Sequence, residues 1–130
     1  MTWNPISLAD LQTMATRDLA ECSVEQRELF RRAGIAPAKW RLSPWGDQGG
    51  GFWAVAVHSD RVLWYNDLED GFNVSTFHVQ GEIPSDEYWF NQDPLCWALP
   101  RLHGELGSRL GPQTARRCAA QTFCGRVDPL

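Results

Sequence analysis

Between Trp64 and Phe77 the chain packs together three carboxylates (Asp67, Glu69, Asp70), two asparagines (Asn66, Asn73), a glycine (Gly71) and four aromatics (Trp64, Tyr65, Phe72, Phe77). Carboxylates at this density can hold a divalent cation, share acid–base work, or meet the bases of a partner. A calcium loop of the EF-hand type needs oxygen ligands at positions one, three and five, glycine at six and glutamate at twelve. Placing Gly71 at six puts Asn66 at one and Asp70 at five, but Leu68 at three and Phe77 at twelve. Two essential ligands are missing, which excludes that loop and leaves only an irregular site of Asp67, Glu69 and Asp70. Acid–base catalysis needs two carboxyls in unlike environments. Here the acids lie on a turn with no apolar stretch to raise one of them, and Asn66, Asp67 and Gly71 are ordinary turn residues, Gly71 suiting positive φ.

Other residues with chemistry fare no better. His58, His78 and His103 show no metal-ligand spacing. Ser75, His78 and Asp67 make a triad on paper, without a nucleophile elbow to expose the serine. Gly49-Gly50-Gly51 is followed by Phe52-Trp53-Ala54-Val55 rather than by Lys-Ser/Thr and a helix, so it is a loop before a strand and not a phosphate cradle. Cys22, Cys96, Cys118 and Cys124 form no CxxC pair, and nothing around them singles out a nucleophile; the spacing of Cys118 and Cys124 does not decide whether they bridge.

Binding remains. The corner sets its acids beside aromatics, and Asp86-Glu87-Tyr88-Trp89-Phe90 repeats the mixture. Aromatic anchors with charged surroundings are the composition of protein interfaces. The charge is uneven: from Asp60 to Asp93 there are eight acids and one base, and from Arg101 to Leu130 five arginines and two acids. An acidic face of this kind steers a basic partner into contact. The net charge of −4 speaks against nucleic-acid binding. Met1 to Pro5 lacks the basic start and apolar run of a signal peptide, and no apolar run reaches the roughly 18 residues of a membrane span. These features predict a cytoplasmic protein with free thiols and no cofactor.

The elements that must carry the corner follow from capping and periodicity. Ser7 with Asp10, and Ser23 with Gln26, predict helices over 8–20 and 24–33. Leu8, Leu11, Ala15 and Leu19 give the first an apolar stripe, and Leu29, Phe30 and Ala33 the second. Gly34 is placed to be the second helix's C-cap, and Pro37 stops its continuation. Strands are predicted over 39–42, 52–58, 61–65 and 73–79, with a brief edge at Glu82-Ile83. Both faces of 52–58 are apolar, so that strand is central, with helices available to cover both sides. Asp93-Pro94 predicts an N-cap and first turn, with Leu95, Leu99, Leu102 and Leu106 as a stripe that Pro100 should kink or interrupt. With 130 residues this makes one α+β domain: a helical part over 1–36, an antiparallel sheet of three to five strands over 37–92, a helix over 93–110 packed on the sheet, and a tail over 111–130.

Two strings also carry a resemblance. Val62-Leu-Trp-Tyr-Asn-Asp-Leu-Glu-Asp-Gly-Phe-Asn-Val-Ser75, preceded by Gly51-Phe-Trp-Ala-Val-Ala-Val57 and followed by Tyr88, Asn91-Gln92-Asp93 and Leu95, is similar to small bacterial immunity proteins found with polymorphic toxins. The resemblance spans about residues 24–102 and implies a non-enzymatic inhibitor of a cognate toxin, with no catalytic residues. Pro94 and Pro100 depart from the final helix of that group. On this reading the partner face comprises Asp67, Glu69, Asp70, Asp86 and Glu87, with Phe72 or Trp89 as anchors. The competing expectation is a small-ligand- or metal-binding enzyme at the 66–78 corner, with Asp67, Glu69, Asn73 and His78 around a pocket.

Overall fold

The computed structural model describes residues 3–103. Two helices come first, α1 (Leu8–Ala20) and α2 (Val24–Ala33). Both begin where local capping dictates. The Ser7 hydroxyl accepts from the Asp10 amide, and Ser23 and Gln26 satisfy each other's backbone N–H in a full capping box. Of the predicted stripe on α1, Leu11 is buried, Ala15 and Leu19 are half-buried and Leu8 is exposed.

Four strands follow: β1 (Gly34–Trp40), β2 (Phe52–His58), β3 (Arg61–Asn66) and β4 (Gly71–Thr76). They pair as an antiparallel sheet in the order β1-β2-β3-β4. The last helix among the described residues, α3 (Leu95–Leu102), packs back on β3 and β4 and on α1 and α2. The fold is therefore α+β with a C-terminal helix on the sheet, as the sequence predicts.

Several boundaries differ from prediction. β1 starts at Gly34 directly after α2, not at Lys39, so the helical part ends three residues early. Gly34 occupies the C-cap position, but with an extended backbone (φ −64°, ψ 143°) that launches the strand rather than with positive φ. Pro37 is tolerated because β1 is an edge strand and its register slips between Gly34 and Ala38. β4 begins at Gly71, two residues before its predicted start, and stops at Thr76. The Glu82 edge survives as isolated bridges to Arg41 and Val79.

The core divides by sheet face. One cluster joins Leu11, Cys22, Val55, Ala56, Leu63, Tyr65 and Phe72 to Leu95, Ala98, Leu99 and Leu102. The other holds Trp40, Leu42, Phe52, Ala54, Val62, Trp64 and Ile83, with Trp3, Phe77 and Tyr88 packed against it. All helical core residues belong to the first cluster. Among the described residues the second face is closed by loop segments and aromatic side chains, not by a helix as expected. An irregularity between Ala54 and Ala56 lets Val55 and Ala56 serve the same cluster.

The start of α3 is not capped by Asp93. The helix begins at Leu95, one residue later than predicted, and its Leu95 amide donates to the Asp18 carboxylate of α1 at 3.1 Å. Burial holds the Asp18 carboxyl above its ordinary range, and this amide pulls it back down. Asp93 turns inward to Arg101 at 2.8 Å, both side chains being under a tenth exposed. Pro100 does not end the helix. Having no N–H, it leaves the Cys96 carbonyl without the usual partner, and the Gln26 side chain donates there instead at 2.9 Å. Leu106, the rest of the predicted 93–110 helix and Cys118 and Cys124 lie outside the described residues. Among the described residues no helix is long and apolar enough to cross a membrane.

Candidate functional site: an asparagine-latched aromatic and acidic surface

The corner between β3 and β4 is tight, and its two asparagines point inward. Asn66 and Asn73 are both fully buried. Asn66 Oδ1 accepts from the Leu68 amide at 3.0 Å, closing the turn. Its Nδ2 donates to the Tyr88 hydroxyl at 3.0 Å and the Trp89 carbonyl at 2.9 Å. Asn73 Nδ2 donates to the carbonyls of Gly71 and Asn91, and its Oδ1 accepts from the Asn91 amide at 2.9 Å. Ser75 extends the row: its hydroxyl donates to the Glu87 carbonyl at 2.6 Å and accepts from the Trp64 indole at 2.9 Å. The Phe72 amide finishes it by donating to the Asp93 carbonyl at 2.9 Å. Segment 87–93 is thus laid along β4 and held largely by side chains, in place of a fifth strand's ladder.

This arrangement explains Gly71. Its φ is not positive; the residue in the left-handed region is Asp70, at φ 61°. A Cβ on Gly71 would come under 3.0 Å from the backbone of Asn91, Gln92 and Asp93. Glycine is required by the close approach of the latched segment. The two sequence strings behind the resemblance therefore touch each other: Asn66, Gly71, Asn73 and Ser75 on one side, Tyr88 to Asp93 on the other.

The predicted surface residues separate into two groups. Phe72 is 1% exposed and packs edge-on against Tyr65 in the helix-side core, so it is no surface anchor. Asp67 does not face outward either. Its Oδ2 accepts from the Ile6 amide at 2.6 Å, while the Trp53 indole donates to the Ile6 carbonyl at 3.0 Å, so the N-terminal segment is pinned to the corner. Burial raises the Asp67 carboxyl, and the Ile6 amide and nearby Lys39 partly offset this. Glu87 is half-buried and structural, its Oε1 accepting from the Thr76 amide at 3.0 Å. Turn polarity misleads at these three positions because long-range backbone donors claim two of the acids and the sheet claims the ring.

The remainder is available at the surface. Asp70, Asp86 and Trp89 are exposed and Glu69 is half-exposed. The Asp70 carboxylate also lies near Tyr65, whose phenol is pushed up to about 12 by burial first and then by Asp70 and Asp67. Sequence reasoning missed Phe90 (63% exposed), Trp45 (40%) and Leu68 (39%). Trp45 stacks on Tyr88 with centroids 4.3 Å apart and planes 7° apart, and Tyr88 and Phe90 lie 6.4 Å apart. Large aromatics left at the surface in succession, after Asp86-Glu87, were the available signal. The result is a Trp45–Tyr88–Phe90 group of rings in which Tyr88 and Phe90 sit on a segment fixed by buried hydrogen bonds, while the Trp89 indole donates to the Glu87 carboxylate at 3.3 Å.

The ligand-site expectation distributes differently. Asn73 spends its amide on the latch, Asp67 holds Ile6, and His78 is exposed beyond the end of β4. Among the described residues no group of three or more His, Cys, Asp or Glu is placed to hold a metal ion. Cavities among the described residues lie elsewhere. One of about 250 Å³ is lined by α2 residues with His58 and His103, and one of about 330 Å³ lies between α1, α2 and the β1–β2 edge.

No family model matches the chain, and no curated protein or solved structure matches it.

Proposed function

We propose that the chain is an immunity-type protein that binds and neutralises a cognate bacterial toxin in the cytoplasm, by covering a basic surface of that toxin and without chemistry of its own. The observation that carries this reading is the exposure of Trp45 and Phe90 on either side of Tyr88, and of Trp89, Asp86 and Asp70 nearby in the chain, on and beside a segment held by Asn66 and Asn73. Exposed aromatics on a pre-organised segment supply contact area with little ordering entropy lost on binding. Exposed carboxylates such as Asp70 and Asp86 would speed encounter with a basic partner and reject acidic ones. Glu69, Asp70, Asp86 and Trp89 remain from the expected face, and Phe90, Trp45 and Leu68 replace Phe72 as apolar contacts.

The test is co-expression with a toxin-like protein encoded beside this one. Growth should be rescued and the two proteins should co-purify. If neither happens with an expressed, folded protein, the immunity reading fails.

A further inference from the structure

Two histidines take no part in the corner. His58 closes β2 and is exposed, and His103 follows the last turn of α3 and is half-buried. The chain reverses just past His58, through Ser59 in the left-handed region at φ 58°. Arg61 faces His58 in the β2–β3 pairing, and its Nη1 donates to the Arg101 carbonyl at 3.3 Å, which holds the end of α3 to this end of the sheet. The His103 amide closes the helix by donating to the Pro100 carbonyl at 3.3 Å. The two imidazoles are stacked, with centroids 4.3 Å apart and planes 13° apart.

These rings border the cavity of about 250 Å³, which Leu29, Arg32 and Ala33 of α2, Val57 and His58 of β2, and His103 line. Leu29, Ala33 and Val57 give it an apolar part. Its charged or titratable side chains are one guanidinium and two imidazoles, brought by three different elements, and no acid belongs to the lining. Glu28 is the nearest acid along α2, and it makes its closer ion pair with Arg31, with Arg32 Nε 3.9 Å away. Asp60 lies two residues past His58 in the turn. A concave site whose polar side chains are all basic, on a chain of net charge −4, selects an anion. Arg32 repels a metal ion, and among the described residues no third His, Cys, Asp or Glu joins the two rings to hold one. The guanidinium fork matches phosphate oxygens. Each imidazole offers one N–H donor when neutral and two when protonated, and an anion against both rings offsets the charge they then carry.

We propose that the cavity between the end of α2, the end of β2 and His103 is a binding site for a small organic phosphate monoester. Arg32, His58 and His103 take the phosphate oxygens, and Leu29, Ala33 and Val57 take the apolar part of the ester. The site involves no residue of the aromatic and acidic surface, so this proposal is independent of the immunity reading.

The experiment titrates the isotope-labelled full chain with phenyl phosphate and follows its amide signals by NMR. Those of Ala33, His58 and His103 should shift together and saturate. Inorganic phosphate should shift the same signals but bind at least about threefold more weakly, because it leaves the apolar part of the cavity uncovered. Arg32→Gln and His58→Gln, both at exposed positions, should each weaken phenyl phosphate binding by about fivefold or more and leave the thermal midpoint of the unliganded chain near that of the parent. Arg17→Gln removes an exposed charge on α1 outside the lining and should leave the affinity within about twofold. Shifts that do not saturate, inorganic phosphate binding as tightly as the ester, or a loss in Arg17→Gln equal to that in Arg32→Gln overturns the proposal.

Discussion

Replacing Asn73 with Asp alters a single atom of the latch and leaves its shape intact. The Asn73 Nδ2 donates to the Gly71 and Asn91 carbonyls at 3.3 and 3.2 Å, from a side chain that is fully buried. In N73D that nitrogen becomes an oxygen facing two carbonyl oxygens. Two hydrogen bonds of about 1 kcal/mol each are lost, and a charge is left buried with only the Asn91 amide to meet it, for a total of about 3 kcal/mol or more at neutral pH. The new carboxyl is then raised above its unfolded value, so the native state takes up the proton first. Its penalty is fully present above the folded pKa and is relieved as pH falls through it, by about 1.4 kcal/mol per pH unit down to the unfolded value. The assay is urea unfolding of N73D and of the parent at about pH 8 and about pH 5, compared as a difference at each pH. The difference should be large at the higher pH and clearly smaller at the lower. A deficit below about 0.5 kcal/mol, or one equal at both pH values, refutes the latch as drawn.

Two further perturbations test the supports of the corner. Asp93→Asn leaves the buried Arg101 guanidinium without its carboxylate and should cost about 3–5 kcal/mol in urea unfolding, whereas replacing both residues with apolar side chains of similar volume should recover much of that loss. Asp67→Asn keeps an acceptor for the Ile6 amide and should change stability little at neutral pH, whereas Asp67→Ala orphans that amide and should cost about 1–3 kcal/mol. Because burial raises the Asp67 carboxyl in the folded state, its contribution to stability should improve as pH falls through that raised value. The improvement should be absent from Asp67→Asn when thermal midpoints are compared across the acidic range.

What was legible in the sequence was local. Ser7 with Asp10 and Ser23 with Gln26 fix both helix starts within a few residues, and α1 and α2 fall where they were predicted. β2 and β3 announce themselves by apolar content and a short turn. The misses share a cause, which is contacts between residues far apart in the chain. Asp93 reads as a cap because the rule is local, yet Asp18 does that work from α1 and Asp93 serves Arg101. Asn66 reads as a turn residue and Asn73 as the start of a strand, yet both are buried pins for a segment some twenty residues on. Asp67 reads as a surface acid because nothing nearby in sequence reveals Ile6 as its partner. Gly34 and Pro37 read as breakers, although an irregular edge strand accommodates both. For the candidate site, composition identified the aromatic and acidic mixture, and Trp89 lies exposed. Only packing could decide that Phe72 goes inside and Phe90 stays out.

The central claim is that the exposed aromatics and acids form a partner-binding face. The measurement that tests it most directly is the affinity of a Trp89→Ala, Phe90→Ala, Asp86→Lys variant for the toxin-like protein proposed as its partner, read together with the variant's thermal midpoint. Surface anchors of this kind are each worth about 2 kcal/mol or more, so combined loss should exceed about a hundredfold in Kd while the midpoint stays near that of the parent. Parent-like affinity in the variant would contradict the account.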